Sequence, residues 1–354
     1  MRCLSVFSMA LACVVMAELS PAQTSPSPGS ACAGCHRAET AHQAETPMGR
    51  ASSLAGDNPT LERHPKLSLQ NGNFTYTIET HGSKSFYTVS DGTQSVSVPV
   101  RWAIGERMQT WVLERNGHYY ESRVSYYPVI SGLQITVGQE VLNPTTVEEG
   151  LGRELNHGEV MNCFGCHATG AVVNGQLILS QTQPGVTCEH CHSGSSGHLL
   201  DTFQGFFDSP PRNLKELSSE EVSSFCGQCH RTWETVIRNG IRGVLNVRFQ
   251  PYRLENSRCF DGNDPRISCI ACHDPHQSLV REDASYDSKC LACHATSAAG
   301  TSVTQHAKAK SCPVAKAGCT GCHMPKVKVN TPAGLITFTD HDIRMAKPGD
   351  PYPN

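Results

Sequence analysis

Between Leu67 and Val141 apolar and polar residues alternate in short runs: Phe74-Thr75-Tyr76-Thr77-Ile78, Ser85-Phe86-Tyr87-Thr88-Val89, Ser95-Val96-Ser97-Val98, Thr110-Trp111-Val112-Leu113, and Tyr119 to Tyr127. A period of two is the signature of a strand with one buried face. Asn71-Gly72, Asp91-Gly92 and Asn116-Gly117 fall between the runs, and such pairs suit the left-handed backbone of tight hairpins. The pattern predicts an antiparallel β module over residues 67–142. His81 and His118 fall at its hairpin ends, where solvent is the expected neighbour.

Outside that stretch the pattern is broken into short pieces. Arg37 to His42 suits a helical turn that stops before Pro47, and Ser218-Ser219-Glu220-Glu221 ahead of Val222 reads as a helix start. Thr24 to Ser30 is a Ser/Pro linker, and Thr331 to Asn354 is Pro-rich and irregular. At the N-terminus Arg2 is followed by an apolar run from Leu4 to Ala17 and then by Ser20-Pro21-Ala22. This is the order of a secretory signal, and the run is too short for a bilayer span. Cys13 lies inside the apolar run and is read as part of it, not as a lipid-bearing cysteine. The predicted division is a signal peptide over 1–22, an N-terminal segment over 23–66, the β module over 67–142 and a long C-terminal domain over 143–354. An exported chain belongs in the periplasm or outside the cell. No later segment is long and apolar enough to cross a membrane.

The chemistry lies in the cysteines. Cys-x-x-Cys-His occurs as Cys32/Cys35/His36, Cys163/Cys166/His167, Cys188/Cys191/His192, Cys226/Cys229/His230, Cys269/Cys272/His273, Cys290/Cys293/His294 and Cys319/Cys322/His323. This is the spacing of c-type haem attachment, with two thioethers to the porphyrin and the adjacent histidine as proximal iron ligand. Zinc is the rival, since paired Cys-x-x-Cys units make tetrahedral thiolate sites that need no following histidine. Every Cys-x-x-Cys here is followed by His, although His fills only 17 of 354 positions. Chance gives that run roughly one time in a billion. The motifs therefore predict seven covalent haems c.

Composition then takes on a meaning. Only 38% of residues are hydrophobic and 6% aromatic, so porphyrin is expected to supply much of the core. A formal charge of -3 offers no basic field for nucleic acid.

A second axial ligand suits electron transfer, whereas an open position suits substrate chemistry. Ten histidines remain after the seven proximal ones: His42, His64, His81, His118, His157, His190, His198, His276, His306 and His341. His276 follows His273 by three residues, too few to wrap round one porphyrin, and is expected on the iron of a neighbouring haem. His198, six residues beyond His192 through a Gly/Ser turn, invites the same argument. His306 and His341 flank the seventh motif, His64 precedes the β module, and His157 is a weaker candidate. For the first haem, a helix carries His42 only about 9 Å along the proximal side. Pro47 then turns the chain back, so Met48 comes within reach of the distal face. A thioether there would raise the potential of that haem. The competing reading packs Met48 against a haem edge, with His42 or His64 on the iron. Cys259 and Cys312, the other cysteines after the signal, are expected to form a disulfide in an oxidising compartment.

GVTCEHCHSGSSGH (185 to 198), CGQCHR (226 to 231), SCIACHDPH (268 to 276) and CTGCHMPK (319 to 326) resemble multihaem cytochromes of the c-554/c-prime type. The resemblance covers most of Ala31 to Arg344. It implies electron transfer between redox proteins through stacked haem pairs, mostly with two histidines on each iron. Seven motifs and an inserted β module depart from the tetrahaem members, so their haem arrangement does not carry over.

The fold class expected is a mostly irregular, short-helical multihaem cytochrome c with an inserted antiparallel β module and a haem-packed core. The function expected is an exported heptahaem relay between other redox proteins, more an electron carrier than an enzyme. The alternative is a multihaem oxidoreductase with one open haem acting on a small nitrogen or sulfur oxyanion; the Cys-x-x-Cys-Lys form associated with ammonia-forming nitrite reductases does not occur here. A third class is a filament or oligomer with haem-to-haem contacts. For the β module, a cover over haem edges is preferred to a docking surface for a redox partner.

Overall fold

The computed structural model describes residues 31–207, 210–294, 312–347 and 350–353. The signal-like stretch 1–22 and the candidate ligand His306 lie outside them.

The alternating runs fold as strands, and the sheet takes in shorter neighbours as well. Its strands are β1 (Ser52–Leu54), β2 (Lys66–Asn71), β3 (Phe74–His81), β4 (Lys84–Ser90), β5 (Ser95–Ile104), β6 (Gln109–Arg115), β7 (His118–Tyr127), β8 (Gly132–Ile135) and β9 (Gly152–Glu154). They pair antiparallel in the order β2-β3-β4-β5-β6-β7-β8, with β1 added to β5 and β9 to β7. The sheet curls until β2 and β8 adjoin, which nearly closes it. Sheet is thus a larger part of this chain than the expected fold class allowed, and helix content is modest. β1 and β9, which lie outside the expected module, are three residues each, too short to show a period of two.

Alternation sets what lies inside. Phe74, Tyr76 and Ile78 on β3 and Tyr87 and Val89 on β4 face one core with Val98, Val100, Trp111, Leu113 and Val124. This body is filled by its own side chains. At Asn116-Gly117 both residues have positive φ, 54° and 81°, as a two-residue hairpin demands.

Two register shifts then turn residues outward. One lies between Val100 and Trp102 in the β5/β6 pairing, the other between Thr110 and Val112 in β6/β7. An extra residue in one strand reverses which side chains face in. The shift on β5 turns Trp102 out of the inner core, and it joins Val112, outward by alternation between Trp111 and Leu113, in a second core with Leu155, Val160, Phe164 and Ala168. Val160 and Phe164 are one turn apart on the helix His157–His167, which carries the second Cys-x-x-Cys-His. The rings of Trp102 and Phe164 meet edge to face, 5.1 Å between centroids and 82° between planes. The outer face of the sheet is accordingly the bed on which a haem motif lies.

That helix starts at a capping box. Asn156 Oδ1 accepts from the Glu159 N–H at 3.0 Å, and the Glu159 carboxylate accepts from the Asn156 N–H at 2.9 Å. The helix Ser219–His230 starts the same way, through Ser218 and Glu221. Asn156→Ala is expected to lower stability by about 1 kcal/mol, read as a shift in the urea midpoint of the holoprotein. Asn156→Ser should recover most of the loss.

Beyond residue 155 the described residues form short helices, turns and two short strand pairs, Ala168–Thr169 with Gln183–Pro184 and Val172–Val173 with Gln176–Leu177, followed by a hairpin of Lys326–Thr331 against Gly334–Thr339.

Candidate haem and iron-binding site

Six of the seven pentapeptides lie on or end a helix: His157–His167, Cys188–Cys191, Ser219–His230, Cys269–Cys272, Asp287–His294 and Cys319–His323. The seventh, at Cys32 to His36, is a turn just before the helix Arg37–Gln43. One helical turn puts the two cysteines of a motif on the same side, as attachment to two vinyl groups of one ring requires. The turn also closes on the histidine: the N–H of His36, His192 and His273 donates to the carbonyl of Cys32, Cys188 and Cys269 at 2.8, 2.8 and 2.9 Å.

Six of the imidazoles are oriented through Nδ1, whereas Nδ1 of His198 is buried without a partner. The Nδ1–H donates to a backbone carbonyl in His167 (Ala51, 3.1 Å), His192 (Arg212, 2.9 Å), His323 (Arg344, 3.0 Å) and His341 (Thr339, 3.0 Å). In His276 it donates to the Asp274 carboxylate at 3.1 Å. In His273 it points to the Tyr286 hydroxyl oxygen at 3.4 Å, and that hydroxyl donates onward to the Val280 carbonyl. A proton held at Nδ1 leaves the Nε2 lone pair for a metal. Burial lowers the pKa of His167, His230 and His273. It takes His341 down to about 4, with His273 adding to the effect. In all four, burial favours the neutral form, the one that ligates iron.

Three pairs of rings adjoin across different motifs, two tilted by 52° and 50° and one near parallel at 9°. His36 and His198 have centroids 6.5 Å apart, His192 and His276 6.1 Å, and His273 and His341 6.3 Å. An iron bonded at about 2 Å by a nitrogen of each ring puts opposed centroids about 6 Å apart. The residues present therefore fit haem iron. Among the described residues no three His, Cys, Asp or Glu side chains gather as a metal cage, the arrangement that the zinc reading requires.

Neighbouring motifs also adjoin through their thiols. Cys32 lies beside Cys188, Cys166 beside Cys229, Cys226 beside Cys269, and Cys290 beside Cys319. Cys191 is near both Cys226 and Cys229, and Cys272 is near Cys290. The fourth motif thus touches the second, third and fifth. Bringing the first motif to the third requires a close backbone crossing. The Val186 N–H donates to the Met48 carbonyl at 2.9 Å, and a Cβ on Gly185, whose φ is +76°, would stand 1.9 Å from the Gly49 carbonyl oxygen. Only glycine fits there.

Three motif cysteines are more open to solvent than the rest. Cys35 and Cys322 are exposed, as is Cys272 in the fifth motif, whereas the other motif cysteines are half-buried. The reason is position in the series. The first cysteine of each end motif meets a thiol of another motif, Cys32 at Cys188 and Cys319 at Cys290. Cys35 and Cys322 stand three residues further along the turn, beyond that contact.

The other candidates are placed as follows. His64 Nε2 is 3.0 Å from the Tyr126 hydroxyl, at the edge of the sheet. His157 is exposed at the start of its helix, about 15 Å along the axis from His167. His42 and His81 are exposed, and His118 is exposed with Nδ1 2.7 Å from a Glu154 carboxylate oxygen. Met48 is half-buried. Cys259 and Cys312 carry thiols with no disulfide between them, which corrects the expected bridge. Cys259 lies near Cys290 and Cys293, whereas Cys312 is exposed. The backbone acceptors at Ala51, Arg212, Thr339 and Arg344 carry no sequence signal, because any residue has a carbonyl. Asp274, next to His273 in Cys-His-Asp-Pro-His, was the one orienting group open to recognition.

Residues 140–193 match the family model described as cytochrome c554 and c-prime, a stretch that holds the second and third motifs. The match supports a c-type cytochrome with covalently bound haem c. A solved structure, the outer cell wall cytochrome OcwA, is similar at 18% identity and a TM-score of 0.35. The likeness covers 57% of this chain and 36% of that one, so the chain spans about a third of its length. No curated protein matches significantly. No helix among the described residues is long and apolar enough to cross a membrane.

Proposed function

We propose that the chain is an exported heptahaem cytochrome c, periplasmic or extracellular, that passes electrons between other redox proteins. The observation that carries this reading is the set of three histidine pairs, each joining one motif to a histidine near another at 6.1 to 6.5 Å. Bound haem c supplies a one-electron iron couple, and ligand identity and burial set its potential. The chain's own part is to hold the ligands. His198 is the distal partner of His36, His276 of His192, and His341 of His273. In this assignment Met48 packs as an apolar filler. The β module is a scaffold: its outer face grips the motif-two helix through Trp102, and Ala51, just before β1, accepts from His167. Export is supported by the order of the N-terminal segments, from Arg2 through the apolar run to Ser20-Pro21-Ala22.

Two measurements test it. Intact mass of the exported protein is expected to correspond to seven attached haems, and fewer than six would overturn the count. His198→Ala is expected to convert one low-spin ferric haem to high spin, with Met48→Ala leaving the ferric spectrum unaltered. The opposite outcome would return the first haem to methionine ligation.

A further inference from the structure

Arg253 is 1% exposed, on the helix Gln250–Glu255. Its Nε donates to Asp340 Oδ1 at 2.8 Å, and its Nη2 donates to Asp340 Oδ2 at 3.0 Å and to Asp342 Oδ2 at 3.2 Å. Its Nη1 donates to the Pro353 carbonyl at 3.1 Å, and the Tyr352 ring covers the guanidinium at 4.7 Å. Arg344 Nη1 donates to Asp340 Oδ2 at 2.6 Å.

Burying charges costs several kcal/mol per ion, and apolar residues of the same volume often stabilise a core equally well. What a bidentate pair adds is direction, since the planar fork fixes the carboxylate in two axes. The segment fixed here is Asp340-His341-Asp342-Ile343-Arg344. Ser257, just beyond the Arg253 helix, tightens it: its Oγ donates to the His341 carbonyl at 3.0 Å and accepts from the Ile343 N–H at 2.7 Å. Two imidazoles hang on that segment. His341 is part of it and faces His273, while the Arg344 carbonyl accepts from His323 Nδ1 and the Arg344 N–H donates to the His323 carbonyl at 3.1 Å.

We infer that Arg253 is a positioning residue for two iron ligands at once, the distal His341 of the fifth haem and the proximal His323 of the seventh. The inference rests on the assignment of His341 as an axial ligand. Removing the guanidinium leaves both aspartates with Arg344 alone, which belongs to the same segment and ties it to nothing outside, so the two imidazoles lose their set angle.

The test compares holoprotein variants by ferric electron paramagnetic resonance. Arg253→Met is expected to keep all attached haems, to convert low-spin signal to high spin, and to regain low spin with added imidazole. His341→Ala is expected to alter one haem only. If His341→Ala leaves the spectrum unchanged, the ligand assignment fails. If His341→Ala changes it and Arg253→Met does not, the clamp fails while the assignment stands. Should Arg253→Met not mature, Ser257→Ala tests the same clamp: losing two hydrogen bonds to the segment is expected to speed cyanide binding about tenfold, and an unchanged rate overturns the inference.

Discussion

Replacing His276 by alanine is expected to convert one haem from low to high spin while all attached haems remain, and the affected haem should be the one bound by His192. The two rings are 6.1 Å apart and only 9° from parallel, and Asp274 holds the Nδ1 proton of His276. The Arg212 carbonyl does the same for His192. With both imidazoles oriented from outside, little reorganisation is needed to bind iron, so removal of one leaves an empty position that no neighbour is set to fill. Redox titration of the variant should lose one component of the wild-type curve and gain another elsewhere. Added imidazole should restore the spectrum. A variant spectrum identical to wild type would remove His276 from the ligand set.

The second large effect is expected at Trp102. Trp102→Ala should cost about 3–5 kcal/mol, because a buried indole is lost and its space is not refilled. The side chain is 6% exposed and packs on Phe164, which is wholly buried. The loss is therefore not confined to the sheet. It loosens the helix that carries Cys163, Cys166 and His167, so the denaturant midpoint and the spectrum of that haem should change together. Trp102→Phe keeps the edge-to-face contact and should recover most of both. Equal losses in the alanine and phenylalanine variants would show that the contact is not what holds the helix.

Much of this was legible in the chain. The alternation in Phe74 to Ile78 and Ser85 to Val89 is the pattern of strands whose one face is buried, and Asn116-Gly117 marks a hairpin because few other pairs accept two positive φ values. Ser218 and Glu221 announce a helix because two residues satisfy each other's backbone. The outward turn of Trp102 was not legible, since a bulge depends on the partner strand and leaves no composition of its own. Among the ligand candidates, the three-residue step from His273 to His276 pointed to a second haem on local geometry alone, but not to His192. For the first haem, Met48, His42 and His64 are the candidates near in sequence. His198 is brought in by the crossing of Gly49 and Gly185, and a crossing of that kind is a property of the folded backbone.

The three histidine pairs have a topological consequence. Each distal residue lies later in the chain than the motif it faces, and the spans overlap: 36 to 198 contains 192, and 192 to 276 contains 273. Bridged by iron, the pairs close three loops linked end to end from residue 36 to residue 341. Loop closure of this length depends only weakly on the number of residues enclosed, by about 0.6 kcal/mol per doubling, so long loops cross-link nearly as well as short ones. A segment inside such a chain of loops cannot leave the fold without releasing a ligand at one end. With the ligands assigned as proposed, the last of the three links closes only when residue 341 has joined the fold.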